Sequence, residues 1–172
     1  MMMTHARHLV LVGLPGAGKS TVGQAVATRL ARPFMDLDVE IEARGGRSIA
    51  DLFAVDGEDR FRQLEHEATA ALVGKPPSVI APGGGWMTRE ATVALLRPHA
   101  LLVYLRVSPE VAIRRLGSGV ATRPLLAGAN PVAALKSLEA ARARLYATAD
   151  RALDTETLDL HDVVESLVQM AL

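Results

Sequence analysis

Gly13-Leu14-Pro15-Gly16-Ala17-Gly18-Lys19-Ser20 is the stretch on which the fold turns. It matches G-x-x-x-x-G-K-[ST] at every fixed position, and its flanks agree. The apolar run 8–12 precedes it as a buried strand, and Val22, Ala25, Val26 and Leu30 recur behind it at helical spacing. Glycines in such a loop let backbone N–H groups turn inward around phosphate oxygens, where a side chain would obstruct them. The following helix adds its N-terminal N–H groups and the positive end of its dipole. Lys19 supplies a point charge for the β and γ phosphates, and Ser20 a hydroxyl ligand for Mg²⁺, a hard cation that prefers oxygen. Gly13, Gly16, Ala17, Gly18, Lys19, Ser20 and the adjoining Thr21 are therefore the expected nucleoside triphosphate site. The glycine spacing does not fit the G-x-G-x-x-G of dinucleotide-binding folds. The motif leaves open whether the partner is a small molecule, a protein or a nucleic acid.

Outward from this loop, short β-rich runs alternate with helical stretches. Strands are expected at 8–12, 34–38, 79–81, 101–105 and 152–154. Helices are expected at 19–30, 48–55, 58–73, 88–96, 109–117, 131–146 and 161–170. Ser108-Pro109-Glu110 reads as an N-cap, a first-turn proline and an acidic first turn. Alternation of this kind implies an α/β fold: a five-stranded parallel sheet flanked by helices, doubly wound, in a single domain over 1–172. Two stretches exceed simple crossovers, 39–73 and the glycine-rich 117–130, and both are candidate substrate-handling elements.

Composition narrows the function. Of 172 residues, 49% are hydrophobic and 22% charged, which excludes disorder as the dominant state. Lys+Arg and Asp+Glu are 19 each, too balanced for a nucleic-acid coat or a polybasic membrane binder. Cysteine is absent, so no thiolate zinc site, disulfide or thiol nucleophile is available. The longest apolar run, 100–105, is far short of a bilayer span, and no secretory leader is evident; the cytoplasm is the expected compartment.

Several constellations accompany the loop. Asp36-x-Asp38 closes the second expected strand, where alternation sends both carboxylates to one face bordering the ligand crevice. One carboxylate suits Mg²⁺ and the other a substrate hydroxyl; the bland alternative is a solvated strand end. Arg62 and Glu65 share a helix face, for function or as a surface ion pair. Gly83-Gly84-Gly85 follows a strand and permits close approach of a substrate, or is simply a flexible turn. Arg123-Pro124-Leu125 lies in the 117–130 loop, where a mobile arginine can close over a triphosphate. Arg142 and Arg144 are two apart on a helix, so at most one faces the site. His5, His8, His66, His99 and His161 have no metal-ligand spacing and are expected at the surface or N-terminus.

In this order, Asp36-x-Asp38, Gly45-Gly46-Arg47-Ser48-Ile49, Phe61-Arg62-x-x-Glu65, Gly83-Gly84-Gly85 and Arg123-Pro124-Leu125 resemble the shikimate kinase family over nearly the whole chain. The resemblance implies a P-loop kinase of the nucleoside monophosphate kinase type, three-layered α/β/α, with a substrate-binding insertion at 39–73 and a lid at 117–130. It implies ATP and shikimate as partners, with transfer of the γ-phosphate to the 3-hydroxyl of shikimate, Mg²⁺ as cofactor, and a monomer that binds neither nucleic acid nor membrane. Asp38 would hold the attacking hydroxyl and accept its proton, and Asp36 with Ser20 would organise Mg²⁺. Arg62 and Arg142 would clamp the carboxylate, with Glu65 orienting Arg62. Gly83, Gly84 and Gly85 would line the ring between Phe53 and Phe61. Lys19 and Arg123 would reach the phosphates, and Arg115 would lie near adenine.

The chain departs from the family pattern at four places. Trp86 and Met87 follow the glycines where small residues are usual, and a bulky Trp86 beside the ring would reshape the pocket. Ala81-Pro82 stands where a small polar residue is common, Arg144 where a proline is frequent, and the 158–161 stretch where an adenine-facing proline is typical. A kinase of a related cyclitol acid such as an aminoshikimate, or a nonenzymatic ligand sensor on the same fold, are the alternatives.

Overall fold

The computed structural model describes residues 6–123 and 125–172. Five strands, β1 (His8–Val12), β2 (Phe34–Asp36), β3 (Val79–Ala81), β4 (Ala100–Arg106) and β5 (Arg151–Asp154), form one parallel sheet in the order β2-β3-β1-β4-β5. Strand β1 is central, pairing Val10 with Ile80 on one side and with Leu102 on the other. All five of its residues are buried, as a strand covered on both faces requires. The α-helices among the described residues are α1 (Lys19–Leu30), α2 (Leu37–Gly45), α3 (Ile49–Asp51), α4 (Gly57–Ala70), α5 (Glu90–Leu96), α6 (Pro109–Leu116), α7 (Pro131–Tyr146) and α8 (Leu160–Ala171). Helix α1 packs against α8, α2 against α4 and α6 against α7. An exposed Arg29–Glu165 pair at 2.7 Å joins α1 to α8.

The expected alternation is present, with shifted boundaries. The second strand stops at Asp36 rather than 38, because the Asp36 carboxylate accepts hydrogen bonds from the Asp38 and Val39 amides and starts α2. A side-chain acceptor at that point satisfies helix N–H groups that a longer strand would leave to a ladder. The helix expected at 48–55 is α3 running into a π-helical turn, Leu52–Asp56, and α4 starts directly at Gly57 and ends at Ala70. His8 is buried rather than at the surface, its Nδ1 accepting the Ser78 amide at 3.1 Å. His66 is half-buried against Thr92, whereas His99 and His161 are exposed; His5 lies outside the described residues.

Chain direction positions the site. From β1 the chain goes to the edge strand β2, returns to β3, and then crosses β1 to reach β4. The turns that follow the strands all open at the carboxyl end of the sheet, the place where open α/β sheets hold ligands. Among the described residues no helix is long and apolar enough to cross a membrane.

Candidate active site

The helix that follows the glycine loop is set apart by its N-terminus. Helices α2, α6, α7 and α8 are capped by side chains of Asp36, Ser108, Asn130 and Asp159. Helices α4 and α5 have no side-chain cap but carry acidic residues in their first turns, whereas α1, with Gly18 (φ +88°) as its N-cap, has neither. Its first N–H groups therefore point into the loop without a side-chain partner, a ready anion cradle. Gly16 also has positive φ (+85°), and a Cβ there would collide with the Ala112 carbonyl oxygen. Lys19 Nζ donates to the carbonyls of Gly13 at 2.6 Å and Leu14 at 3.2 Å, so the ammonium is held at the mouth of the loop. Burial lowers its pKa to about 8, opposed by the charge of Asp38 and reinforced by Arg123 and Arg142.

This cradle is one wall of a cavity of about 520 Å³. Asp36, Asp38, Arg115 and Arg123 also line it, as do Ala81 and Pro82. Ser20 Oγ donates to Asp36 Oδ2 at 3.0 Å, which brings a hydroxyl and a carboxylate together beside the loop. Among the described residues there is no group of three or more His, Cys, Asp or Glu side chains disposed to hold a metal. The Ser20–Asp36 pair is nonetheless an all-oxygen donor set, the kind that suits Mg²⁺ when phosphate oxygens and water complete its shell. At the far end, Arg115 donates to Thr155 Oγ1 and to the Thr155 carbonyl, and Leu158 and Leu160 form an apolar wall.

A second cavity of about 480 Å³ adjoins the first. Phe53 and Phe61 form one side, with ring centroids 4.7 Å apart. Arg62, Glu65 and Arg142 bring charge into it, and Gly83, Gly84 and Gly85 form its floor. The Arg62–Glu65 pair is not on the surface: Glu65 is fully buried, and Arg62 Nη1 reaches its Oε1 at 2.9 Å. Burial raises the Glu65 pKa, and the Arg62 charge opposes that rise. Arg62 Nε, Glu65 Oε2 and Arg142 Nη1 are buried with no hydrogen-bond partner among the described residues. Arg123 Nε is a fourth such atom on the lining; each orphan costs about 1–3 kcal/mol or more when charged, so a cavity bearing four is organised for a polar ligand. Arg142 is buried and Arg144 exposed, as their spacing on α7 requires.

The glycine run has a specific geometric reason. A Cβ on Gly83 would lie 2.9 Å from Asp38 Oδ1, one on Gly84 3.0 Å from Arg142 Nη1, and one on Gly85 2.9 Å from Arg62 Nη1. Each glycine thus backs onto a charged side chain that a Cβ would crowd. The two cavities share Pro15, Asp38, Gly83, Gly84 and Arg123. Asp38 stands at this junction, its pKa raised by burial and by the charge of Asp36. Thr122, Leu125 and the buried Leu126 bring the 117–130 stretch over the second cavity; Pro124 lies outside the described residues.

Trp86 does not reach either cavity. It is completely buried, and its indole donates to Thr69 Oγ1 at 3.1 Å. The turn after Gly85 directs the side chain away from the cavity and into the core, so the expected reshaping of the pocket does not occur. Sequence reading missed Tyr146, whose hydroxyl donates to the Gly84 carbonyl at 3.2 Å. Its signal was its place four residues after Arg142, on the same face of α7.

A phosphate cradle that opens directly onto a second, charge-lined cavity defines an ATP-dependent P-loop kinase of small molecules. A sequence profile for shikimate kinase matches residues 15–171. The chain belongs to the shikimate kinase family. It is 41% identical over 164 residues to shikimate kinase from Symbiobacterium thermophilum, covering 94% of each chain. It is 47% identical over 137 residues to that from Thermobifida fusca, covering 80% of this chain and 78% of the relative. The structure of shikimate kinase from Acinetobacter baumannii in complex with shikimate superposes with a TM-score of 0.90 at 33% identity, covering 95% of this chain and 92% of that one.

Proposed function

We propose that this chain transfers the γ-phosphate of ATP to the 3-hydroxyl of shikimate, giving shikimate 3-phosphate and ADP, as a cytoplasmic monomer. The observation that carries this reading is the junction, where a nucleotide-sized cavity and an arginine-lined cavity meet at Asp38 and Arg123. Phosphoryl transfer requires chiefly that donor and acceptor be aligned and that developing charge be neutralised. The backbone of residues 13–18 and Lys19 hold the triphosphate. Arg123 adds charge from the 117–130 segment, which acts as the lid. Arg115 lies toward the base.

In the second cavity Arg62 and Arg142 take the acceptor carboxylate, each with a buried nitrogen free to donate. Glu65 holds Arg62 through one oxygen. Gly83, Gly84 and Gly85 let the ring lie against backbone, and Phe53 and Phe61 cover its apolar face. The 39–73 segment is thereby the substrate-binding part of one kinase domain spanning 1–172. Asp38 accepts a hydrogen bond from the attacking hydroxyl and takes its proton; a carboxylate with a raised pKa is better matched to that task. Mg²⁺, held on Ser20 and Asp36 together with phosphate oxygens, would supply charge neutralisation at the β and γ phosphates.

The test is ADP release with ATP and Mg²⁺ in the presence of shikimate, quinate or an aminoshikimate. Shikimate-dependent release well above the other two is expected. No shikimate-dependent release above background would reject the proposal, and a preference for aminoshikimate would replace the acceptor.

A further inference from the structure

Trp86 is the sole tryptophan of the chain, and neither the phosphate cradle nor the acceptor clamp uses it. It is nevertheless hydrogen-bonded to two elements that carry residues of the second cavity. Its backbone N–H donates to the Gly83 carbonyl at 3.1 Å, closing the glycine turn. Its indole Nε1–H donates to Thr69 Oγ1 at 3.1 Å, and the Thr69 hydroxyl donates to the Glu65 carbonyl at 2.8 Å. One residue thus ties the turn that carries Gly83–Gly85 to the helix that carries Arg62 and Glu65. The opposite wall is tied separately, by the hydroxyl of Tyr146 on the Gly84 carbonyl. Gly85 lies directly against the Arg62 guanidinium, so a small shift of the turn relative to α4 changes where that guanidinium can sit.

We infer that the Trp86–Thr69 hydrogen bond fixes the spacing between the glycine turn and α4, and makes Trp86 a positioning residue for acceptor recognition. The inference rests on the acceptor site proposed above. Filling space in the core would require only a large apolar side chain at 86. Any buried indole N–H needs an acceptor; here the acceptor chosen joins the glycine turn to α4, which filling space alone does not do. An indole N–H in a fully apolar slot would be a penalty, whereas here it joins a chain that ends on the backbone of Glu65.

The experiment compares Trp86→Phe, Thr69→Val, Thr69→Ser and the Trp86→Phe/Thr69→Val double variant with the wild type. KM for shikimate, KM for ATP, kcat and thermal midpoint are measured for each. Wild-type turnover of shikimate tests the proposed function by itself, so its absence would count against that reading and not reach this one. With it present, Trp86→Phe and Thr69→Val are each expected to raise the shikimate KM about fivefold to tenfold, as loss of one buried hydrogen bond would. The ATP KM stays unchanged, the double variant is no worse than either single one, and Thr69→Ser retains wild-type behaviour. An unchanged shikimate KM in Thr69→Val, or equal rises in both Michaelis constants tracking a lowered thermal midpoint in every variant, would overturn the inference and leave Trp86 a core residue only.

Discussion

The two cavities that meet at Asp38 are built in opposite ways. The nucleotide cavity takes its essential surface from one consecutive stretch, residues 15–22, and from the uncapped end of one helix. The acceptor cavity takes its surface from side chains of α2, the π-helical turn, α4, the 117–130 segment and α7 and from the backbone of the glycine turn, drawn from positions as far apart as 15 and 142. A backbone cradle is indifferent to most neighbours and suits a ligand whose phosphates are common to many reactions. A cavity of buried charges must be assembled by the whole fold, and it leaves polar atoms waiting for one particular ligand. Generality therefore resides in a local motif and selectivity in tertiary placement.

Asp38 offers the largest test of that division because it belongs to both cavities. Asp38→Asn removes the proton acceptor while keeping the shape of the side chain. We expect kcat to fall by roughly 10²–10⁴. ATP affinity, measured by equilibrium dialysis, should hold or rise, since a negative charge beside the phosphates is gone. Loss of ATP binding would mean the two cavities cannot be separated as described, and wild-type turnover would remove Asp38 from the chemistry.

Arg62→Lys probes the acceptor side alone. Lysine keeps the charge but not the planar fork, and it cannot satisfy Glu65 and a ligand carboxylate together in the same geometry. The shikimate KM should rise about 10-fold to 100-fold, the loss expected for a charge-assisted hydrogen bond. An unchanged KM would reduce Arg62–Glu65 to a structural pair, and a matching rise in the ATP KM would break the comparison.

Gly16→Ala probes the nucleotide side alone. The new Cβ would meet the Ala112 carbonyl, in a backbone conformation that costs an L-residue about 1–2 kcal/mol. ATP affinity should drop about tenfold or more. Shikimate binding without nucleotide, followed by calorimetry, should be retained. If both ligands are lost together, the cradle is not an independent unit.

The same contrast explains what could be read in the sequence. The phosphate loop and five parallel strands were legible because they rest on a contiguous motif and on local periodicity; the order β2-β3-β1-β4-β5 was not. Asp38 and Arg123 stood out from their place beside the phosphate loop and in the 117–130 stretch, whereas Arg62, Glu65 and Arg142 were legible as a carboxylate clamp only through their resemblance to a family. Nothing local distinguishes Arg62–Glu65 on α4 from a solvent-exposed pair; the packing of α2, α5 and the π-helical turn on α4, with Gly85 against Arg62, makes the difference. The destination of Trp86 was misread for the same reason, since the direction of a side chain after a glycine turn is set by backbone dihedrals that spacing does not encode. The premature end of β2 was readable in principle, because Asp36 precedes a helical pattern in the manner of an N-cap.

The smallest expected effect lies outside both cavities and asks whether the sheet beneath them carries its own titration. His8 is buried on β1, and burial lowers its pKa below the ordinary value of 6.5; a backbone hydrogen bond to Leu72 opposes this, while His99 and Arg32 add to it. Its Nδ1 accepts the Ser78 amide, so the folded state holds the ring neutral at that nitrogen. The unfolded chain takes up a proton as the pH falls through 6.5, whereas the folded chain resists until lower pH. Protonation therefore favours unfolding in that window, and stability falls with acidification. His8→Gln keeps a polar side chain without the titration. Its thermal midpoint should fall less between pH 7 and pH 5 than that of the wild type, with the shikimate and ATP Michaelis constants unaltered at pH 7. Parallel pH slopes in the two proteins would show that His8 contributes nothing to acid sensitivity. A changed Michaelis constant would show that the sheet and the cavities are coupled more tightly than their separate construction implies.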